Sequence, residues 1–140
     1  MKKQEKIRYQ QLEVGYELPS ISYKLEPSMV AAYLRAVQEH SELYKDRKLV
    51  PPMAIAAYAM AALSENILLP PGVIHTDGQI QFLGIVNVGD TISCYSRVSQ
   101  KQDRGRFHLL TIDFTVFNQE RKQVLTGKTS FILPELDNES

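Results

Sequence analysis

The chain has 140 residues, 44% hydrophobic and 23% charged, the balance of a globular protein, and one domain over 1–140 with a core at about 7–134 is expected. Sixteen basic and sixteen acidic residues cancel, leaving no charge excess for nucleic acid. The lone Cys94 excludes an intrachain disulfide, and without a signal-peptide or membrane-spanning pattern the expected setting is the cytoplasm, with neither membrane nor nucleic acid as partner.

Lys2, Lys3 and Lys6 open the chain as a solvated end. An entering strand, a turn at Val14-Gly15, a break at Pro19 and a short extended piece ending near Leu25 follow. Pro27-Ser28 opens a helix with Ser28 as its expected N-cap. Met29, Ala32, Tyr33, Ala36 and Val37 recur at the spacing of one buried face, and the helix should end near Glu39 or His40. A charged connector over 41–50 leads to Pro51-Pro52, which start a second helix running to about Asn66.

That second helix carries the strongest signal. Residues 53–63 form an unbroken apolar run, mostly alanine. A helix that is apolar all round is buried all round, and this run is well short of the ~20 residues that cross a bilayer. Alanine keeps it thin, so other backbone approaches closely.

Four β segments follow, expected over 73–85, 91–100, 106–117 and 123–133, with turns at Val88-Gly89-Asp90, Asp103-Arg104-Gly105 and 118–122. Ile92, Cys94 and Val98 share one face of the second strand. Leu110, Ile112, Phe114 and Val116 alternate along the third, and Leu125, Gly127, Thr129, Phe131 and Leu133 along the fourth. Cys94 thus reads as a small buried hydrophobe, and residues 135–140 as a loose tail. Short loops between successive strands imply an antiparallel sheet. The fold class is α+β: a sheet curled around a buried central helix, with an accessory helix before it.

This order of elements resembles the hotdog fold. In detail it is similar to the MaoC-like dehydratase and hydratase family, and within it to the N-terminal half of fungal-type fatty-acid-synthase dehydratases. The match rests on Val50-Pro51-Pro52-Met53, on the run from Val73 to Phe82 followed by Val88-Gly89-Asp90-Thr91-Ile92, and on the run from Val124 to Phe131. The resemblance implies chemistry on acyl thioesters of coenzyme A or acyl carrier protein: hydration of a trans-2-enoyl thioester, or the reverse dehydration. Active members of the family use an Asp and a nearby His for general acid–base work. Backbone N–H groups at the start of the central helix polarise the thioester carbonyl, which would make Pro52, Met53 and Ala54 the substrate-binding positions.

Here the sequence departs from the family. Aligned on Ala36-Val37 and Asp46, Glu39 stands where the family has Asp, and Tyr44 where it has His. Glu shifts the carboxylate by a methylene, and Tyr, with an ordinary pKa near ~10, is a poor base at neutral pH. The resemblance therefore implies a non-catalytic or altered-site subunit whose partner, a homodimeric copy or another hotdog subunit, brings the dyad. If the chain is itself active, Glu39 with Tyr44 or His75 would carry the proton transfers. A third reading is a thioester-binding or regulatory module without chemistry.

His75 reads either as a hydrogen-bonded structural residue or as a pocket-lining or catalytic one. His40 reads as solvated at a helix end, and His108 as a surface residue. Lys45, Arg47 and Lys48 read as a solvated charge run or as contacts to the phosphates of the thioester carrier. Scattered His and one Cys give no ligand spacing, so no metal and no cofactor are expected.

Overall fold

The computed structural model describes residues 6–41, 44 and 48–134, so the expectations for the two termini and for Lys45 and Arg47 lie outside the described residues. The elements in chain order are β1 (Ile7–Arg8), a 3-10 turn (Tyr9–Gln11), β2 (Ile21–Lys24), α1 (Pro27–Ala36), α2 (Pro52–Asn66), β3 (Ile67–Leu68), β4 (Ile74–Phe82), β5 (Thr91–Arg104), β6 (Phe107–Phe117) and β7 (Gln123–Leu133). Five strands form one antiparallel sheet in the order β2-β5-β6-β7-β4. The expected entering strand is only the two-residue β1, which pairs in parallel with β3.

Alternation along the strands decides the concave face. On β6, Leu110, Ile112 and Val116 are wholly buried and Phe114 nearly so. On β5 the inward residues are Ile92, Cys94 and Val98, and on β7 Leu125, Thr129, Phe131 and Leu133. α2 lies against this face. Ala54, Ile55, Ala56, Ala59 and Ala62 pack with Val50, Val86, Val116 and Leu125. Leu63 joins a second cluster with Tyr9, Leu12, Leu110 and Phe131. Burying a side chain such as Ile55 or Leu63 contributes about 1.5–3 kcal/mol. α2 ends where Ile67 turns extended, and the buried Asn66 is satisfied because its side-chain amide donates to the Pro19 carbonyl at 2.8 Å. A sheet curled over a central helix is the hotdog fold.

The structure corrects several expectations. α2 is not buried on every side: Met53, Ala57, Ala61, Ser64 and Glu65 form an exposed stripe at helical spacing. α1 starts two residues earlier than expected, with Pro27 at its first position and Glu26 rather than Ser28 as N-cap. Its buried side is Val30 with Tyr33 and Leu34, while Ala32, Ala36 and Val37 are exposed. Three alanines on α1 make the two faces nearly alike in hydropathy, and packing against β2 and α2 chooses between them. β5 extends to Arg104, so the hairpin turns at Gly105-Arg106.

Candidate functional site

Two turns position the predicted site. The first follows α1, which ends in a Schellman arrangement: Gln38 takes the left-handed conformation (φ 56°), its N–H donates to the Arg35 carbonyl, and the Glu39 N–H donates to that of Leu34. Glu39 is left exposed just past the helix, and its carboxylate accepts the Ser41 N–H at 2.8 Å. The Tyr44 N–H donates to the Ser41 carbonyl at 3.1 Å, and the residue is half-buried. Burial first, then the neighbouring Tyr44 and Glu39, push the Tyr33 phenol up. The structure thus links Glu39 and Tyr44 through Ser41, and both act electrostatically on Tyr33, a residue that the sequence placed only in the core.

The second turn sets the start of α2. Residues 48–50 run beside 86–88: Val50 donates to Val86 and Val88 to Lys48, at 2.9 and 2.8 Å. The following turn is closed by Asp90, which accepts the Asn87 N–H, with Gly89 at φ 96° donating to Leu25. Pro51 and Pro52 carry no N–H, and the Ala54 N–H is spent on the Pro51 carbonyl at 2.9 Å. Met53 alone among residues 51–54 keeps an unused N–H among the described residues, at the positive end of the helix. Its side chain and that of Pro52 are exposed, whereas Ala54 is wholly buried and presents no side chain to a ligand.

His75 is placed differently. The sheet register slips at Thr76, so that His75 pairs with Phe131 and Asp77 with Ser130. This bulge turns His75 to the same face as Gly78, whose Cα side lies under the imidazole. The ring stacks obliquely on Phe131, and Nε2 shares a 2.5 Å hydrogen bond with the buried Thr129 hydroxyl. Among the described residues, no hydrogen bond or ring contact joins His75 to Glu39 or Tyr44. His40 is exposed.

His108 departs from the surface role expected of it. Its Nδ1 lies 2.6 Å from Asp103 Oδ1, which also accepts the Tyr9 hydroxyl at 2.9 Å. Hydrogen bonds from His108 and Tyr9 hold the Asp103 carboxyl below its ordinary range. No sequence signal could join Tyr9 to a hairpin tip so far along the chain. Among the described residues, no group of three His, Cys, Asp or Glu is placed to hold a metal ion. No described helix is long and apolar enough to cross a membrane.

Residues 13–127 match the family model for the FAS1-like, dehydratase domain region. The chain belongs to this family. No curated protein matches this chain. Solved structures do resemble it. The (R)-hydratase from A. caviae involved in PHA biosynthesis aligns at 22% identity over 89% of this chain and 99% of that one, with a TM-score of 0.75. R-hydratase PhaJ1 from Pseudomonas aeruginosa gives 22% identity, 91% and 86% coverage, and 0.78. The ChsH1-ChsH2 complex from Mycobacterium tuberculosis gives 14%, 86% and 98%, and 0.72. At such identities the likeness to these structures is one of fold, and it is the hotdog fold of hydratases and dehydratases.

Proposed function

We propose that this single-domain chain is an acyl-thioester subunit of an (R)-specific enoyl-thioester hydratase or 3-hydroxyacyl-thioester dehydratase, acting on a coenzyme A or acyl-carrier-protein ester. It lacks a complete proton-transfer dyad of its own. A second hotdog subunit supplies the dyad, and the substrate lies between them. The observation that carries this reading is the uncovered apolar rim of the sheet. β4 is an edge strand, and Ile74, Ile80 and Phe82 on it, with Leu83 and Ile85 just after it, are all at least 39% exposed. Unpaired edges with apolar side chains favour strand pairing.

The chemistry follows from the two turns. In hydration, water adds its oxygen to Cβ of the enoyl group and a proton is delivered to Cα. Negative charge develops on the thioester oxygen meanwhile, and the unused Met53 N–H is the donor this chain offers to it. Glu39 is already engaged by its own turn, its carboxylate accepting the Ser41 N–H. Membership of a dehydratase family supports the substrate class.

A second reading, in which this chain is itself active through Glu39 with Tyr44 or His75, is favoured by the turn that ties Glu39 and Tyr44 together through Ser41. One experiment separates the readings. The purified chain is given crotonyl-CoA and a longer enoyl-CoA, alone and with a dyad-bearing hotdog partner, and loss of the enoyl-thioester absorbance is followed. Turnover only with the partner supports the subunit reading. Turnover by the chain alone that Glu39→Gln lowers by orders of magnitude supports the second reading and refutes the first. A saturable thermal shift with acyl-CoA, but no turnover under either condition, leaves a binding module.

A further inference from the structure

At the end of the molecule away from the start of α2, the N-terminal segment and the link between β3 and β4 enclose a cavity of about 280 Å³. Arg8, Tyr9 and Gln10 line one side and residues 68–71 the other. The size is at the lower bound for small-molecule sites, roughly 300 Å³. Leu68, Leu69, Pro70 and Pro71 make one wall apolar, and the two prolines remove backbone donors from it.

Two further features give the cavity a fixed shape and a charge. The Tyr9 ring is held from three directions: its hydroxyl donates to Asp103, the His108 ring lies 5.0 Å away, and Lys101 Nζ sits 4.4 Å over its face. Lys101 is itself tied to the Leu12 carbonyl at 2.7 Å. The wall that Tyr9 forms is therefore pre-organised, and a ligand need not order it. At the rim, the exposed Arg8 side chain makes no ion pair among the described residues, while its backbone N–H is fixed by the Gln11 side chain.

We infer that this cavity binds a small carboxylate with a compact apolar body, the body against Tyr9, Leu69 and the prolines and the carboxylate on the Arg8 guanidinium. A planar guanidinium matches a carboxylate with two parallel hydrogen bonds, whereas an apolar wall without donors offers nothing to a polyol or a sugar. The site is independent of the thioester reading, since it shares no residue with Glu39, Tyr44 or Met53.

The test uses the full ¹⁵N-labelled chain titrated with benzoate and with hexanoate, and with benzyl alcohol as the neutral counterpart. The expected result is saturable amide shifts centred on Tyr9, Leu68 and Leu69. Benzyl alcohol, and benzoate on Arg8→Gln, should bind at least about tenfold more weakly, since both charge-assisted hydrogen bonds are lost. Arg8 is exposed, so the variant keeps the fold. Shifts that fail to saturate, shifts scattered over the surface, or equal affinity for benzoate and benzyl alcohol would overturn the assignment.

Discussion

Gly127 is where the sheet has least room for an added atom. It sits on β7 between Phe114 of β6 and Ile80 of β4. A Cβ at this position would lie 2.6 Å from Phe114 Cε2 and 2.9 Å from the Gln79 carbonyl oxygen, and closer still to Phe114 Cζ. Ordinary carbon contacts are about 3.5–4.0 Å, so in Gly127→Ala the ring must withdraw by more than about an ångström. Phe114 is only 4% exposed and has nowhere to swing, and the carbonyl belongs to a neighbouring backbone. Overpacking of this kind costs about 1–3 kcal/mol, and two obstructed directions put Gly127→Ala at the upper end. For a chain of this size ~3 kcal/mol lowers Tm by roughly 10 °C. Gly84→Ala is the internal reference: its added carbon would meet Val124 Cγ1 at 3.5 Å, an ordinary contact, and its effect should stay within about 1 kcal/mol. Urea unfolding followed by circular dichroism, with both variants beside the parent chain, reads the difference. If Gly127→Ala proves as mild as Gly84→Ala, the seating of Phe114 on the β7 backbone is wrong.

Burial pushes the Cys94 thiol up to about 12, so at pH 8 a thiol reagent such as DTNB should leave the folded chain unlabelled and label it fully in urea; rapid labelling without denaturant would contradict the inward position. The Asp103 carboxyl is lowered chiefly by His108, so its contribution to stability is present above the ordinary carboxylate range near ~3.9 and is lost as pH falls through its lowered folded value. Asp103→Asn should therefore be less stable than the parent chain at neutral pH and converge with it in acid. A gap that stays constant down to strongly acid pH in urea melts would remove that role from the carboxylate.

Much of the architecture was legible because alternation and turn chemistry agreed. The last strand occupies the very residues expected of it, 123–133, since Leu125, Phe131 and Leu133 alternate cleanly between a polar hairpin and Pro134. α2 was legible from its prolines and its apolar run, but its exposed stripe was not: alanine has the same hydropathy whether it faces a core or solvent. The buried side of α1 was misread for a related reason, because Ala31, Ala32 and Ala36 blur the periodicity and the larger Val30, Tyr33 and Leu34 decide it by packing. At the site, the spacing of Glu39 and Tyr44 was readable and their link through Ser41 was not. The orientation of His75 depends on a one-residue slip at Thr76, which period-two reasoning cannot see. The Tyr9, Asp103 and His108 cluster is a meeting of distant segments, and no local pattern announces such a contact.

The two faces of α2 divide its labour residue by residue. Ile55, Ala59, Ala62 and Leu63 are locked into the sheet, and any change of volume there is felt by the whole core. Met53, Ala57 and Ala61 touch that packing little. Mutational drift on the second set can change the bulk and polarity of the exposed stripe without endangering the fold. In such a chain that surface can diversify faster than the architecture, and positions 57 and 61 are where it can change at least cost.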